Sequence, residues 1–416
     1  MNKKPTPNPL GPSYYLVSVR NTPVRKRFGA KGNWIKSEFT FQLTIQGMAT
    51  CPTRSKYIKQ VGKYLLGLPL AKNSPKAITS WIAREDGTSN FRIVRIINLV
   101  EDVGITNEEI QKGKVFIQNE LYLLQLLEGE PGIMKHYGMF RDNVDGQNNN
   151  CYSRICSVVD CYVPHDFSPA YRSLTNLYFY MKEVKRISEE EAIRLFIQCL
   201  AILVRVHEMH IVHRDLTMSN YVLDKRTGQI QLVNFGMGSL LTHEKELVPI
   251  QPGSPLYFSP EIIKGRPHLG KPADMWAMGV IFYGMLYSEF PFYACDLPSL
   301  YAKIGSGTYK IPINKPASPK SVRIIEGIFN LNPEERLTCQ QVLDDLLTSP
   351  LLVTPSLQVV PSTDQTDSEN YPGPKTIRRF PLSYDSKGEV RLKYAEVMRY
   401  QRLMFPSQNP PITAAS

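Results

Sequence analysis

His213-Arg214-Asp215-Leu216-Thr217-Met218-Ser219-Asn220 is the stretch on which the reading of this sequence turns. A carboxylate, Asp215, and an amide, Asn220, sit five residues apart, behind a histidine and an arginine able to tie the loop to its surroundings. Upstream, Ser188-Glu189-Glu190-Glu191 has the form of a capping box. It opens a helix whose Ile193, Phe196, Ile197, Leu200 and Val204 make one apolar face. Downstream, the pattern predicts a helix over about 272–288, apolar nearly all round and therefore deeply buried. The chain before the loop reads differently. A strand-like run, Ala77–Arg84, meets Asp86-Gly87, a dipeptide favoured in type I′ hairpin turns, and a second run, Phe91–Leu99, follows. A helix over 107–128, capped by Asn107, carries Phe116, Leu123, Leu124 and Leu127 at helical spacing. A small strand-rich part followed by a larger helical part predicts a two-lobed α+β domain.

The 416 residues suit one large domain with flanking arms. A net charge of +11 would suggest a nucleic-acid partner, but it is not spread evenly. Residues 1–60 hold eleven Lys/Arg against one acid, Glu38, which leaves the other 356 residues at +1. Any nucleic-acid role is therefore confined to this basic arm. Its Arg25-Lys26-Arg27 reads as a solvated loop first, and as a nuclear-localisation or phosphate-binding cluster second. Two alternating stretches in the arm, Tyr14–Val19 and Phe39–Ile45, are candidates to pair as strands. No apolar run approaches the ~20 residues of a membrane span, and the first residues lack the apolar stretch of a secretory signal. The expectation is no membrane. Seven cysteines, none in a C-x-x-C pair, argue against a disulfide framework, a zinc ribbon or a metal site, and point to a reducing, intracellular setting. Beyond about Leu347 the chain turns polar and Pro/Ser-rich, with one helix expected at Glu389–Leu403. The division is a basic arm over 1–60, a folded domain over 61–350 and a polar tail over 351–416.

The central stretch matches H-R-D-L-x-x-x-N, the catalytic loop of protein kinases. Asn234-Phe235-Gly236 follows at the place of D-F-G, and Ser259-Pro260-Glu261 at the place of A-P-E. Asp274-Met275-Trp276-Ala277-Met278-Gly279 stands for the buried large-lobe helix, and Arg336 for the arginine that pairs with the A-P-E glutamate. Over about residues 62–350 the chain thus resembles the protein kinase family, which implies a bilobal fold with a β-rich small lobe and a helical large lobe. The same resemblance gives His213, Arg214, Glu261, Asp274 and Arg336 structural roles. Glu261 and Arg336 are expected to form a buried ion pair.

Phosphoryl transfer needs a glycine loop over the phosphates, a strand lysine, two magnesium ions and a carboxylate that orients the acceptor hydroxyl. Aligning Gly67 with the first glycine of G-x-G-x-x-G puts Pro69 at the second and Lys72 at the third. Proline has no N–H and a fixed φ, so the phosphate cradle is lost. The strand lysine of V-A-I-K falls at Arg95, with Ile93 where a small alanine faces the adenine. Arg95 keeps a charge and can pair with Glu120, bidentately if the geometry allows, but a guanidinium does not replace an ammonium at a point phosphate contact. Asn234 replaces the metal-binding aspartate, and magnesium favours carboxylates. Asp215 and Asn220, the base and second metal ligand of an active kinase, are intact, while Thr217 stands where these enzymes place a lysine. Each lost transition-state contact typically costs ~10²–10³ in rate. The segment Gly238–Pro255 shows no packing signal, and Thr242 and Ser254 are candidate phosphorylation sites.

A narrower resemblance rests on I-V-H-R-D-L, N-F-G, G-S-P-L-Y-F-S-P-E, G-R-P-H-L-G-K-P-A-D-M-W-A-M-G-V and S-E-F-P-F-Y, with A-R-E-D-G-T-S-N-F early and L-Q-V-V-P late. These look like the Tribbles-related protein kinases, and among them the kinase-40 group. That resemblance implies a nucleotide-independent pseudokinase of nucleus and cytoplasm. Such a protein recruits a COP1-type E3 ubiquitin ligase and restrains transcriptional signalling. Val360 and Pro361 stand where the group carries its ligase-docking Val-Pro peptide, although Ser362 follows where an acid is expected. No cofactor is expected on this reading. The alternatives are a weak serine/threonine kinase using ATP and magnesium with Asp215 as base, and a switch that senses nucleotide without transferring phosphate.

Overall fold

The computed structural model describes residues 17–18, 44–45, 60–70, 75–100, 104–145, 151–250, 253–314 and 316–348. In the small lobe six antiparallel strands lie in the order Gln60–Val61, Tyr64–Pro69, Thr79–Glu85, Phe91–Asn98, Cys151–Asp160, His136–Asp145. Strand Phe91–Asn98 is central, and its successive side chains point to opposite faces that are both covered. Ile97 packs with Phe116 and Ile117 of the adjoining helix, while Val94 and Ile96 pack on the opposite face with Tyr64, Ala83 and Val158.

The hairpin predicted at Asp86-Gly87 is present, but its turn is not type I′. That type needs positive φ at both central residues, and only Gly87, at +71°, has it. The closing bond runs from the Glu85 N–H to the Asn90 carbonyl, so the loop is four residues long. The helix after it is Asn107–Leu126. Thr106, not Asn107, is its cap: Thr106 is extended and its hydroxyl accepts from the Glu109 N–H. Composition allows either residue; the backbone turns helical at Asn107 itself, one position earlier than an asparagine cap would need.

In the large lobe, helix Glu189–Glu208 is capped by Ser188, whose hydroxyl accepts from the Glu191 N–H. The reciprocal half of the predicted box is diverted, because the Glu191 carboxylate accepts from the Tyr180 hydroxyl. Helix Gly270–Tyr287 is the centre of the lobe: of its residues only Lys271 and Pro272 escape burial. Phe282 stacks on Phe196 of the first helix at 4.3 Å, and Trp276 on Phe292 at 5.3 Å.

The segment after residue 238 packs despite its polar sequence. Ile211–Val212 pairs with Ser239–Leu240, Leu247–Val248 pairs with His268–Leu269, and Leu241 and Val248 are buried against Val212. Two-residue bridges carry no periodicity, so nothing in the sequence announced them. In the arm, Val17–Ser18 pairs antiparallel with Thr44–Ile45, inside the two stretches read as strands. Arg25-Lys26-Arg27, Lys72, Val360, Pro361 and the tail helix expected at Glu389–Leu403 lie outside the described residues. Among the described residues no helix is long and apolar enough to cross a membrane.

Candidate functional site

A cavity of about 730 Å³ opens between the lobes, bordered above by Ser80, Arg95 and Phe116 and below by Asp215, Asn220 and Asn234. The lower wall hangs from one buried carboxylate. Asp274 accepts from the backbone N–H groups of His213 and Arg214 at 2.8 Å each, and from His207 at 3.1 Å. Burial opposes its charge, yet these donors outweigh it and hold the carboxyl below its ordinary value. His213 meets the Val233 carbonyl through Nε2 and packs edge-on against Phe235, which is fully buried. Arg214 adopts a left-handed backbone, φ +66°, and its guanidinium donates to the Ser239 hydroxyl and the Pro249 carbonyl.

The expected ion pair is present and bidentate. Arg336 Nη1 lies 2.6 Å from Glu261 Oε1 and its Nη2 3.1 Å from Oε2. The same guanidinium donates to the Asn330 and Pro272 carbonyls and lies over the Trp276 ring.

Above the cleft, Arg95 turns its charge toward the protein. One Nη donates to Glu120, which is fully buried, and the other to the Tyr162 hydroxyl at 3.1 Å. Burial works against the guanidinium charge, and these two partners more than offset it. The pair with Glu120 is single, not bidentate; Glu120 Oε1 has no partner among the described residues. Ile93 departs from its expected place as well. It is fully buried in the core with Ile82 and Val159 and does not border the cavity. The side chain that reaches Arg95 from the inter-lobe segment is Tyr162. Pro69 ends its strand next to a register shift, between Leu66 and Pro69, in the pairing with Thr79–Glu85.

At the metal position of an active kinase, three polar side chains bond to one another. Asn220 Nδ2 lies 3.1 Å from Asp215 Oδ2, and Asn234 Nδ2 lies 3.5 Å from that oxygen and 3.4 Å from Asn220 Oδ1. Asn234 sits in the left-handed region at φ +74°, which asparagine tolerates better than most residues. The next glycine is required by space: a Cβ on Gly236 would fall 2.3–2.5 Å from the Phe116 ring. Burial pushes the Asp215 carboxyl up to about 6, against the opposing effect of the Asn220 bond. Among the described residues no three His, Cys, Asp or Glu side chains converge on a point that would hold a metal ion.

The sequence resembles the model of the protein kinase domain over residues 102–347. The chain belongs to the protein kinase family. Its relatives include serine/threonine-protein kinase 40 of Gallus gallus, 36% identical over 80% of this chain and 81% of the relative. The proteins of the same name from Bos taurus and Homo sapiens are each 38% identical, over 74% of this chain and 74% of the relative. The narrower likeness read from the motifs is therefore shown, together with the bilobal α+β fold. Two residues of the family site had no motif to reveal them. Tyr162 lies in an inter-lobe segment without pattern. Asn119, buried on helix Asn107–Leu126, donates its amide to the carbonyls of Gly236 and Gly238 and fixes the N-F-G segment.

Proposed function

We propose that this chain is a catalytically silent member of the protein kinase family that works as an adaptor. The observation that carries the reading is the bonding of Asn234 to Asp215 and Asn220 where an active kinase places two metal ligands. Magnesium demands near-ideal octahedral oxygen coordination and favours carboxylates. One carboxylate and two amides already bonded to each other do not fit it. The upper wall fits triphosphate no better, since Arg95 is engaged by Glu120 and Tyr162 and Pro69 interrupts the glycine loop. On this reading the recruited partner is a COP1-type E3 ubiquitin ligase, held by Val360 and Pro361 in the tail. Proline pre-sets an extended backbone and lowers the cost of ordering, and Val360 supplies a small apolar anchor. The nucleus and cytoplasm are the expected settings, and restraint of transcriptional signalling the expected outcome.

A second reading, a weak serine/threonine kinase with Asp215 as base, is favoured by the inward, buried Phe235 and the intact Asp274 anchor. A thermal-shift titration with ATP, with and without magnesium, separates the two. A ligand at ~100 times its Kd stabilises the fold by ~2.7 kcal/mol. The adaptor reading expects an unmoved melting temperature in both arms; a clear magnesium-dependent rise overturns it.

A further inference from the structure

Cys339 is the first residue of helix Cys339–Leu347, behind the cap Thr338. Its sulfur lies 3.4 Å from Nδ1 of His207, and Nε2 of the same ring lies 3.1 Å from the Asp274 carboxylate. All three side chains are buried. Burial works against a charge on His207, but its bonds to Asp274 and Cys339 outweigh that and lift the ring to about 9. At neutral pH the ring therefore donates from both nitrogens, one N–H to the carboxylate and the other to the sulfur. Sulfur, imidazolium and carboxylate stand in line, so the ring can supply a proton to a group that leaves at the sulfur. The helix start adds oriented backbone N–H dipoles beside the sulfur.

Access exists. Cys339 and His207 border a cavity of about 650 Å³, walled also by Lys271, Met275 and Leu337. A peroxide, little larger than two waters, fits it easily. Cys156 and Cys161 have thiols pushed up to about 12 by burial, and burial pushes Cys199 higher still. Cys295 is exposed, which makes it an internal standard for an ordinary surface thiol.

We propose that Cys339 is a modification site for small peroxides, and that its oxidation is transmitted through His207 and Asp274 to the His213–Asp215 loop. In the step the sulfur attacks one oxygen of hydrogen peroxide, forming an S–O bond as the O–O bond breaks. The departing hydroxide combines with the thiol proton as water. Cys339 is oxidised to the sulfenic acid and the peroxide is reduced. The added oxygen occupies the space between sulfur and ring, so His207 must shift. Its Asp274 partner is the group that holds the His213 and Arg214 amides.

The test uses the full chain, dilute hydrogen peroxide, a dimedone trap for sulfenic acid and peptide mass spectrometry. Labelling at Cys339 is expected to be at least ~10-fold faster than at Cys295. Faster labelling at Cys295, or none at Cys339, overturns the site. Peroxide is also expected to lower the melting temperature of the wild type by several degrees. It is expected to leave Cys339→Ala unmoved, a change that a helix start accepts readily; Cys339→Ser is the second variant should the first fold poorly. Complete labelling with an unchanged melting temperature overturns the transmission to the loop.

Discussion

Asp274 and Arg95 are both buried charges beside the same cleft, and they are satisfied in opposite directions. Asp274 spends its oxygens on backbone N–H groups of the lower wall, contacts that hold the loop whether or not a ligand is bound. Arg95 occupies the position that faces phosphate in an active kinase, and here it is closed onto Glu120 and Tyr162. Groups whose partners are protein backbone retain the family's chemistry. Groups whose partners would be phosphate or metal have exchanged ligand for neighbouring side chains. The lower wall is thus a scaffold, and the upper wall keeps its place on the cleft with its charge paired inside the protein.

The largest expected effect tests the scaffold. Glu261→Ala leaves Arg336, whose side chain is 0% exposed, with an uncompensated charge. Removing one member of such a pair typically costs ~3–5 kcal/mol. Urea denaturation should show a loss of that size, with weaker partner binding alongside. A loss under ~1 kcal/mol would make the pair incidental and blur the contrast between the walls.

Next comes the pH dependence of the Asp274 anchor. The His207 ring is raised from 6.5 to about 9 in the fold. Its contribution is therefore fully present below pH 6.5 and lost as pH rises through about 9. A shift of that size corresponds to ~3 kcal/mol. Unfolding free energies at pH 6 and pH 9.5 should differ by more in the wild type than in His207→Gln. Equal differences would remove the ring from the anchor.

Asp215 offers a smaller effect of the same sign in a lower pH window. Its carboxyl is raised from 3.8 to about 6, so the folded state holds the proton more tightly and stability falls as pH rises between those values. Asp215→Asn removes the buried charge and should stabilise the neutral-pH protein by ~1–2 kcal/mol, discounted for solvent at the cleft. The gain should vanish near pH 4, where the wild-type carboxyl is protonated. A destabilised variant would show that the Asn220 and Asn234 amides require the carboxylate, giving Asp215 a bonding role that its raised value conceals.

The smallest effect on the fold belongs to the tail. Replacing Val360 and Pro361 with alanine should leave the melting temperature unchanged and abolish pull-down of a COP1-type ligase. Undiminished capture would shift the partner surface to the folded lobes or the basic arm.

The sequence by itself determined the family, the two-lobed order, the buried helix Gly270–Tyr287 and the Glu261–Arg336 pair. Each depends on residue type at fixed separation, which a string of letters preserves. It also exposed the substitutions Pro69, Arg95 and Asn234, because a motif makes a departure visible. Tertiary structure alone decided what those substitutions do. That Arg95 meets Tyr162 from 67 positions away, that Ile93 lies in the core and not on the cleft, and that Asn234 bonds to Asp215 depend on how strands and loops converge. The same holds for Cys339 against His207, 132 positions apart. Thr106 shows the limit at short range: two adjacent residues are both good caps, and only the backbone angle at which the chain enters the helix selects one. Contacts between distant residues of ordinary type leave no periodicity and no motif, so only the folded chain reveals them.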